Sequence, residues 1–158
     1  MDIRVGLGHD THRLKQGKPL VIGGIAIVHD CGPDSHSDGD VLFHALTDAL
    51  LGAVAAGDIG EWFPDNDPQW KDADSVVFLQ KAKEEIERRG YAIVNVDCTV
   101  FAETPKLKPY KKRITSNLSE VLQLDRDNIN VKAKTGEKVG PIGLGEAIAA
   151  DAVVLIQK

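Results

Sequence analysis

Three residues early in the chain have the types and spacing of a metal site. Asp10 and His12 stand two apart in GLGHDTHRL, and on an extended strand side chains two apart point the same way. His44 lies in HSDGDVLFHALTDAL, a stretch otherwise rich in Val, Leu, Phe and Ala. On a helix, Asp40, His44, Thr47 and Asp48 fall on one narrow polar face, while Val41, Leu42, Phe43, Ala45, Leu46, Ala49, Leu50 and Leu51 cover the rest. A helix apolar nearly all round is a buried one, so an imidazole on its polar stripe needs a partner. One carboxylate and two imidazoles with a free fourth position is the donor set of a catalytic rather than a structural zinc ion. Asp40 and Asp48, one turn either side of His44, are expected to orient its ring as hydrogen-bond acceptors.

Three further stretches have side chains suited to phosphate. In HSDGD, Ser37 or Asp38 is expected to cap the following helix, whose free N–H groups favour an anion. His36 beside them can donate to a phosphate oxygen. FAETPKLKPY at 101–110 enters a proline turn with Lys106 and Lys108, which offers backbone amides and cations, or is simply a solvated basic loop. In KAKTGEKVG, Lys134, Thr135 and Glu137 leave a strand together, a cation, a hydroxyl and a carboxylate suited to phosphate and a hard divalent ion. No P-loop, G-x-S-x-G or H-E-x-x-H occurs, and the G-x-G at Gly6–Gly8 runs into HDTH without the third glycine of a dinucleotide fingerprint.

The elements that position these residues follow from periodicity. Ile3, Val5 and Leu7 alternate into a strand expected to end near Gly8, and PLVIGGIAIV at 19–28 reads as two short strands broken at Gly23-Gly24. A helix follows from about Asp40 to Ala56. The stretch 57–74 is the longest irregular one, and its two Trp and one Phe mark it as a functional loop. DSVVFLQKAKEEIERRG is a helix with Asp74 as N-cap and Gly90 as stop. YAIVNVDCTVF reads as a strand, a helix spans about Pro109–Leu122, NINVKAK is a strand, GEKVGPIGLGE a glycine-rich turn and AIAADAVVLIQK a closing strand. One α+β domain over residues 1–158 accommodates all of this. A net charge of −5 removes the basic footprint expected of a nucleic-acid binder. Cys31 and Cys98 form no C-x-x-C pair and read as free thiols of a reducing compartment. With no signal-peptide core and no eighteen-residue apolar run, the expectation is a cytoplasmic protein, or a plastid one if a transit peptide has been removed, with no membrane partner.

GLGHDTHRL, DSHSDGDVLFHALTDALLGA, GDIGEWFPDNDP, ETPKLKP and VKAKTGEKVG, in that order, resemble the 2-C-methyl-D-erythritol 2,4-cyclodiphosphate synthase family over essentially the whole chain. The resemblance implies a homotrimer of α+β subunits, each a mixed sheet with helices on one face, assembled around a three-fold axis with active sites between neighbours. It implies conversion of 4-diphosphocytidyl-2-C-methyl-D-erythritol 2-phosphate to the cyclic diphosphate and CMP, by attack of the 2-phosphate on the β-phosphorus. It places zinc on Asp10, His12 and His44, and a second ion, magnesium or manganese, on Glu137. His36 and Thr135 match the residues that stabilise the transition state. Ser37, Asp58, Ile59, Gly60, Phe63, Pro64, Asp65 and Asp67 match the methylerythritol side. Ala102, Glu103, Thr104, Pro105, Lys106, Leu107 and Lys108 match the cytidine pocket, with Lys134 and Gly136 near the phosphates. Four positions depart from the family: Lys134 replaces a frequent threonine, His9 replaces an aromatic, and Pro141 and Leu144 stand where phenylalanine and arginine line an axial cavity that holds isoprenoid diphosphates in relatives. Such a ligand is therefore not expected to bind here in the same way. Two other readings use the same residues: a zinc hydrolase in which water attacks, and a metal-stapled binding module without turnover.

Overall fold

The computed structural model describes residues 1–158. Its central strand pair joins β1 (Ile3–Gln16) to the C-terminal strand, and further strands add on either side. β2 (Leu20–Ile22) and β3 (Ile25–Ile27) form a separate hairpin, and β4 (Cys31–Pro33) pairs with the far end of β1. With β5 (Ala92–Phe101), β6 (Ile129–Lys134) and β7 (Ala147–Gln157), the main sheet has the order β4-β1-β7-β5-β6. Only the β5–β6 pair is parallel, so the sheet is mixed.

Register explains which side chains are buried. Gly8, Ala152, Cys98 and Val131 lie in one row across the four strands, and Gly6, Val154, Val96 and Ile129 in another. All of them face the helices and are buried. Helix α1 (Val41–Ala53) lies directly on the glycines. A Cβ on Gly8 would stand 1.8 Å from the carbonyl oxygen of Ala45, and one on Gly6 equally close to that of Ala49. Glycine at these two positions therefore lets helix backbone touch strand backbone. The other side of α1 is covered by α3 (Val76–Arg88), which is why its apolar residues surround it. α2 (Ile59–Trp62), α4 (Lys111–Leu122), which packs on β6, and the four-residue α5 (Gly140–Gly143) complete the chain. The long helices thus cover one face of the sheet.

Four local expectations are corrected. β1 continues past Gly8 to Gln16, because Asp10 and His12 occupy inward positions that in most sheets are apolar. Asp40, rather than Ser37 or Asp38, caps α1, accepting from the amides of Leu42 and Phe43. Ser75, not Asp74, precedes α3, and its side chain makes no cap bond because it is engaged elsewhere. The 57–74 stretch is partly regular, holding α2 and a 3₁₀ turn at Pro68–Trp70. Both cysteines are free, Cys98 buried and Cys31 half-buried.

The outward face of the sheet is apolar over the N-terminal half of β1. Val5 and Leu7 are 66% and 69% exposed, with Ile3 and Val153 beside them. No helix is long and apolar enough to cross a membrane.

Candidate active site

β1 and α1 bring the three early residues together. Asp10 and His12 are the next inward positions after Gly6 and Gly8, and His44 is one turn into the helix that rests on those glycines. The ligand atoms of Asp10, His12 and His44 all lie within 4.8 Å of one another. Asp10 Oδ2 is 2.9 Å from His12 Nε2 and 3.0 Å from His44 Nδ1, and those two nitrogens are 3.3 Å apart. One carboxylate and two imidazoles thus lie close enough to share a divalent cation. Burial works to raise the Asp10 carboxyl, but hydrogen bonds with the His12 and His44 rings outweigh it and hold it well below the usual carboxylate range. Burial disfavours charge on His44, yet the adjacent Asp10 carboxylate lifts its pKa above the ordinary imidazole value.

The rest of the polar stripe on α1 does not serve His44. Asp40 is fully buried and spends its oxygens on four amides: Gly23 and Gly24 of the β2–β3 turn, and Leu42 and Phe43 of its own helix. Burial pushes its carboxyl up to about 6, against the pull of those amides. Asp48 accepts the N–H of Ile59 at 2.7 Å, and Thr47 donates back to the carbonyl of Phe43. Asp40 and Asp48 are therefore structural anchors, not the acceptors that orient His44. A helical repeat places residues on one side without saying what faces them. The capped amides of Leu42 and Phe43 also leave the start of α1 without its expected anion site.

The triad sits at the base of a cleft of ≈ 260 Å³ that also takes in His36, Ser37, Ile59, Gly60, Phe63 and Asp65. Asp34, Ser35, Trp70 and Phe78 line it too, and sequence reasoning had passed over them. Phe78 looks like an ordinary inward residue of an amphipathic helix, and only the fold shows it beside His44, at 5.9 Å between ring centroids. Phe63, Trp70 and Phe78 pack edge and face with centroids 4.5–5.7 Å apart, forming an apolar wall. His36 Nε2 lies 3.3 Å from the carbonyl oxygen of Asp67. Of the remaining candidates, Asp58 caps α2 through the amide of Glu61, Asp67 caps the following 3₁₀ turn, and Pro64 lies between these two caps outside the lining.

The other candidates form a second cluster. Ala102 donates its N–H to the carbonyl of Lys134, and Gly136 donates to the Glu103 carboxylate at 2.9 Å, so the 102–108 loop and the 134–137 turn are stitched together. Glu137 carries φ +52 and is exposed, 3.2 Å from the hydroxyl of Thr135. Thr104, Lys106 and Lys108 are exposed and Pro105 half-buried. Ala102 and Leu107 are core residues, so their side chains are closed to any ligand and only their backbone is available. Within the chain this cluster does not line the cleft. It lies at the same end of the sheet as Asp10 and His12, but β6 is three strands from β1, a lateral distance of about 14 Å.

Fold and cleft together define an α+β protein with a candidate divalent-metal centre in an open, partly aromatic pocket. Residues 3–157 match the model of the YgbB family, and the chain belongs to that family. It is 50% identical over 157 residues to the 2-C-methyl-D-erythritol 2,4-cyclodiphosphate synthase of Solibacter usitatus (strain Ellin6076), covering 99% of both chains. It is 53% identical over 155 residues to the enzyme of that name from Bacillus mycoides (strain KBAB4), at 98% of both. A solved 2C-methyl-D-erythritol-2,4-cyclodiphosphate synthase in a CDP-bound form superposes with a TM-score of 0.91 at 41% identity, covering 98% of this chain and all (100%) of that one.

Proposed function

We propose that the protein is a cyclising phosphorus–oxygen lyase of non-mevalonate isoprenoid biosynthesis. It converts 4-diphosphocytidyl-2-C-methyl-D-erythritol 2-phosphate to 2-C-methyl-D-erythritol 2,4-cyclodiphosphate and CMP. The observation that carries this reading is the convergence of Asp10, His12 and His44 at the base of a cleft, in a chain that matches synthases of that name along its length.

Asp10, His12 and His44 would suit zinc, while the exposed Glu137 carboxylate would suit magnesium or manganese. A divalent ion held by the triad supplies Lewis acidity to a phosphate oxygen. The chain supplies the rest. Asp10, ionised across the working range, offsets the positive charge of the site. His36 and Ser37, at the cleft wall, donate to the phosphate that attacks, and the Phe63–Trp70–Phe78 wall excludes water from that face. Ring closure needs attacker and β-phosphorus held in line, so positioning accounts for much of the rate. Ile59, Gly60 and Asp65 hold the methylerythritol end. Thr135, Gly136 and Lys134 receive the diphosphate, and the backbone of the 102–108 loop reads cytosine.

One subunit does not suffice for this arrangement. Asp10, His12 and His44 would hold one cation and Glu137 the other, and for both to serve one diphosphate these residues would have to come closer than the about 14 Å between β1 and β6 allows within one chain. The Thr135–Glu137 cluster that completes a cleft therefore comes from a neighbouring copy in a homotrimer. The exposed Val5 and Leu7 face of the sheet provides an apolar surface for that assembly.

The test is release of CMP from the cytidyl substrate. Chelation is expected to abolish release while the far-ultraviolet circular dichroism stays unchanged, and added zinc with magnesium to restore it. Undiminished release from metal-free protein would overturn the metal reading, and unfolding on chelation would favour the metal-stapled module.

A further inference from the structure

His44 uses its two ring nitrogens differently, and the partner of the second one lies outside every sequence motif that names a ligand. Nδ1 faces Asp10 and His12. Nε2 lies 2.7 Å from the hydroxyl of Ser75, which is fully buried at 0% exposure. That hydroxyl donates to Asp38 Oδ1, and the Ser75 amide donates to Asp38 Oδ2 at 3.1 Å. Asp38 Oδ1 also accepts the amide of Asp40 at 3.0 Å. A serine hydroxyl has one proton. With that proton given to Asp38, the oxygen can only accept from His44, so Nε2 keeps its hydrogen and, in the neutral ring, the lone pair is left on Nδ1 for a metal. Ser37 also approaches Nε2, at 3.2 Å, but it is half-buried on the cleft wall and its oxygen already accepts the amide of Gly39.

We propose that Ser75 and Asp38 act as a positioning pair that fixes the tautomer and ring orientation of His44 for metal binding. The inference rests on the metal-site reading above. The pair spans two segments that are tied again by Asp72 N–H to His36 O at 2.8 Å and Asp38 N–H to Ala73 O at 3.1 Å. The brace that orients His44 therefore also holds the backbone of His36. Partners of this kind typically change metal affinity 10- to 100-fold when removed.

The experiment is a competition titration of zinc against a chromophoric chelator, with cobalt loading to read the ligand-field spectrum. Wild type, Ser75→Ala, Asp38→Asn, the double variant and Ser37→Ala are compared, each with a thermal unfolding curve of the metal-free protein. Asp38→Asn retains the size of the side chain but presents an amide N–H₂ where the pair needs an acceptor. Each single variant in the pair is expected to bind zinc about 10- to 100-fold more weakly and to shift the cobalt spectrum. The double variant should lose little more than either single one, because the two residues act as one unit. Ser37→Ala should change affinity less than about threefold, well inside that range. Wild-type affinity in Ser75→Ala, or loss confined to the unfolding midpoint with affinity and spectrum intact, would overturn the positioning role. A larger loss in Ser37→Ala than in Ser75→Ala would move the role to Ser37 and overturn the assignment to Ser75. A wild-type chain without zinc affinity would overturn the metal reading and this inference together, which separates the two failures.

Discussion

His44 is poised between a carboxylate on one ring nitrogen and a hydroxyl on the other, and its protonation decides whether the site can hold a cation. A metal binds the neutral ring, so protons compete with it. Because Asp10 raises the His44 pKa, that competition begins above the ordinary imidazole value of about 6.5. Asp10 itself lies well below the usual range and remains ionised there. Zinc affinity is therefore expected to fall by more than about fourfold between about pH 8 and pH 6, and a flat profile in the same titration would contradict this description of the triad. Two of the three candidate ligands were legible from spacing alone, since Asp10 and His12 need only a strand to point together. His44 was legible as an imidazole out of place in an apolar helix. Ser75 and Asp38 were not, because a hydroxyl becomes a partner for His44 only when two distant segments meet.

At the level of elements, the site depends on how closely α1 approaches β1. Gly8→Ala would set a methyl against the carbonyl oxygen of Ala45, at 1.8 Å before any relaxation. Neither backbone can yield easily, so the helix must lift. A loss of about 3 kcal/mol or more in unfolding free energy is expected, with zinc affinity falling as His44 moves away from Asp10. Denaturant unfolding at native stability would show that the contact is looser than described. The alternating strands and the hairpin at Gly23-Gly24 were readable because apolar period and glycine turns are local signals. The length of β1 was not, since its inward residues turn from glycine to Asp10 and His12 where the sheet becomes the site. The cap of α1 was misassigned for a similar reason: Asp40 serves the β2–β3 turn and the helix at once, and only the first of these is tertiary.

In the whole molecule, the candidate residues divide into two clusters at one end of the sheet, separated by β7 and β5. The motifs in the sequence named both clusters but not the gap between them, because the register of the strands sets that distance. The outward face opposite the helices, with Leu7 at 69% exposure, is where copies are expected to meet. Leu7→Asp should convert a three-copy species into single chains in sedimentation, with CMP release lost because no neighbour completes the cleft. Unchanged release from single chains would place both clusters in one subunit's site. What separates a cyclising lyase from a hydrolase at this site is ring closure by the substrate's own phosphate. Phosphorus NMR of the purified protein with the cytidyl substrate, zinc and magnesium tests it most directly. Coupled resonances of a cyclic diphosphate are expected to appear in step with CMP. CMP accompanied by an open-chain methylerythritol bisphosphate would show that water is the nucleophile and would contradict it.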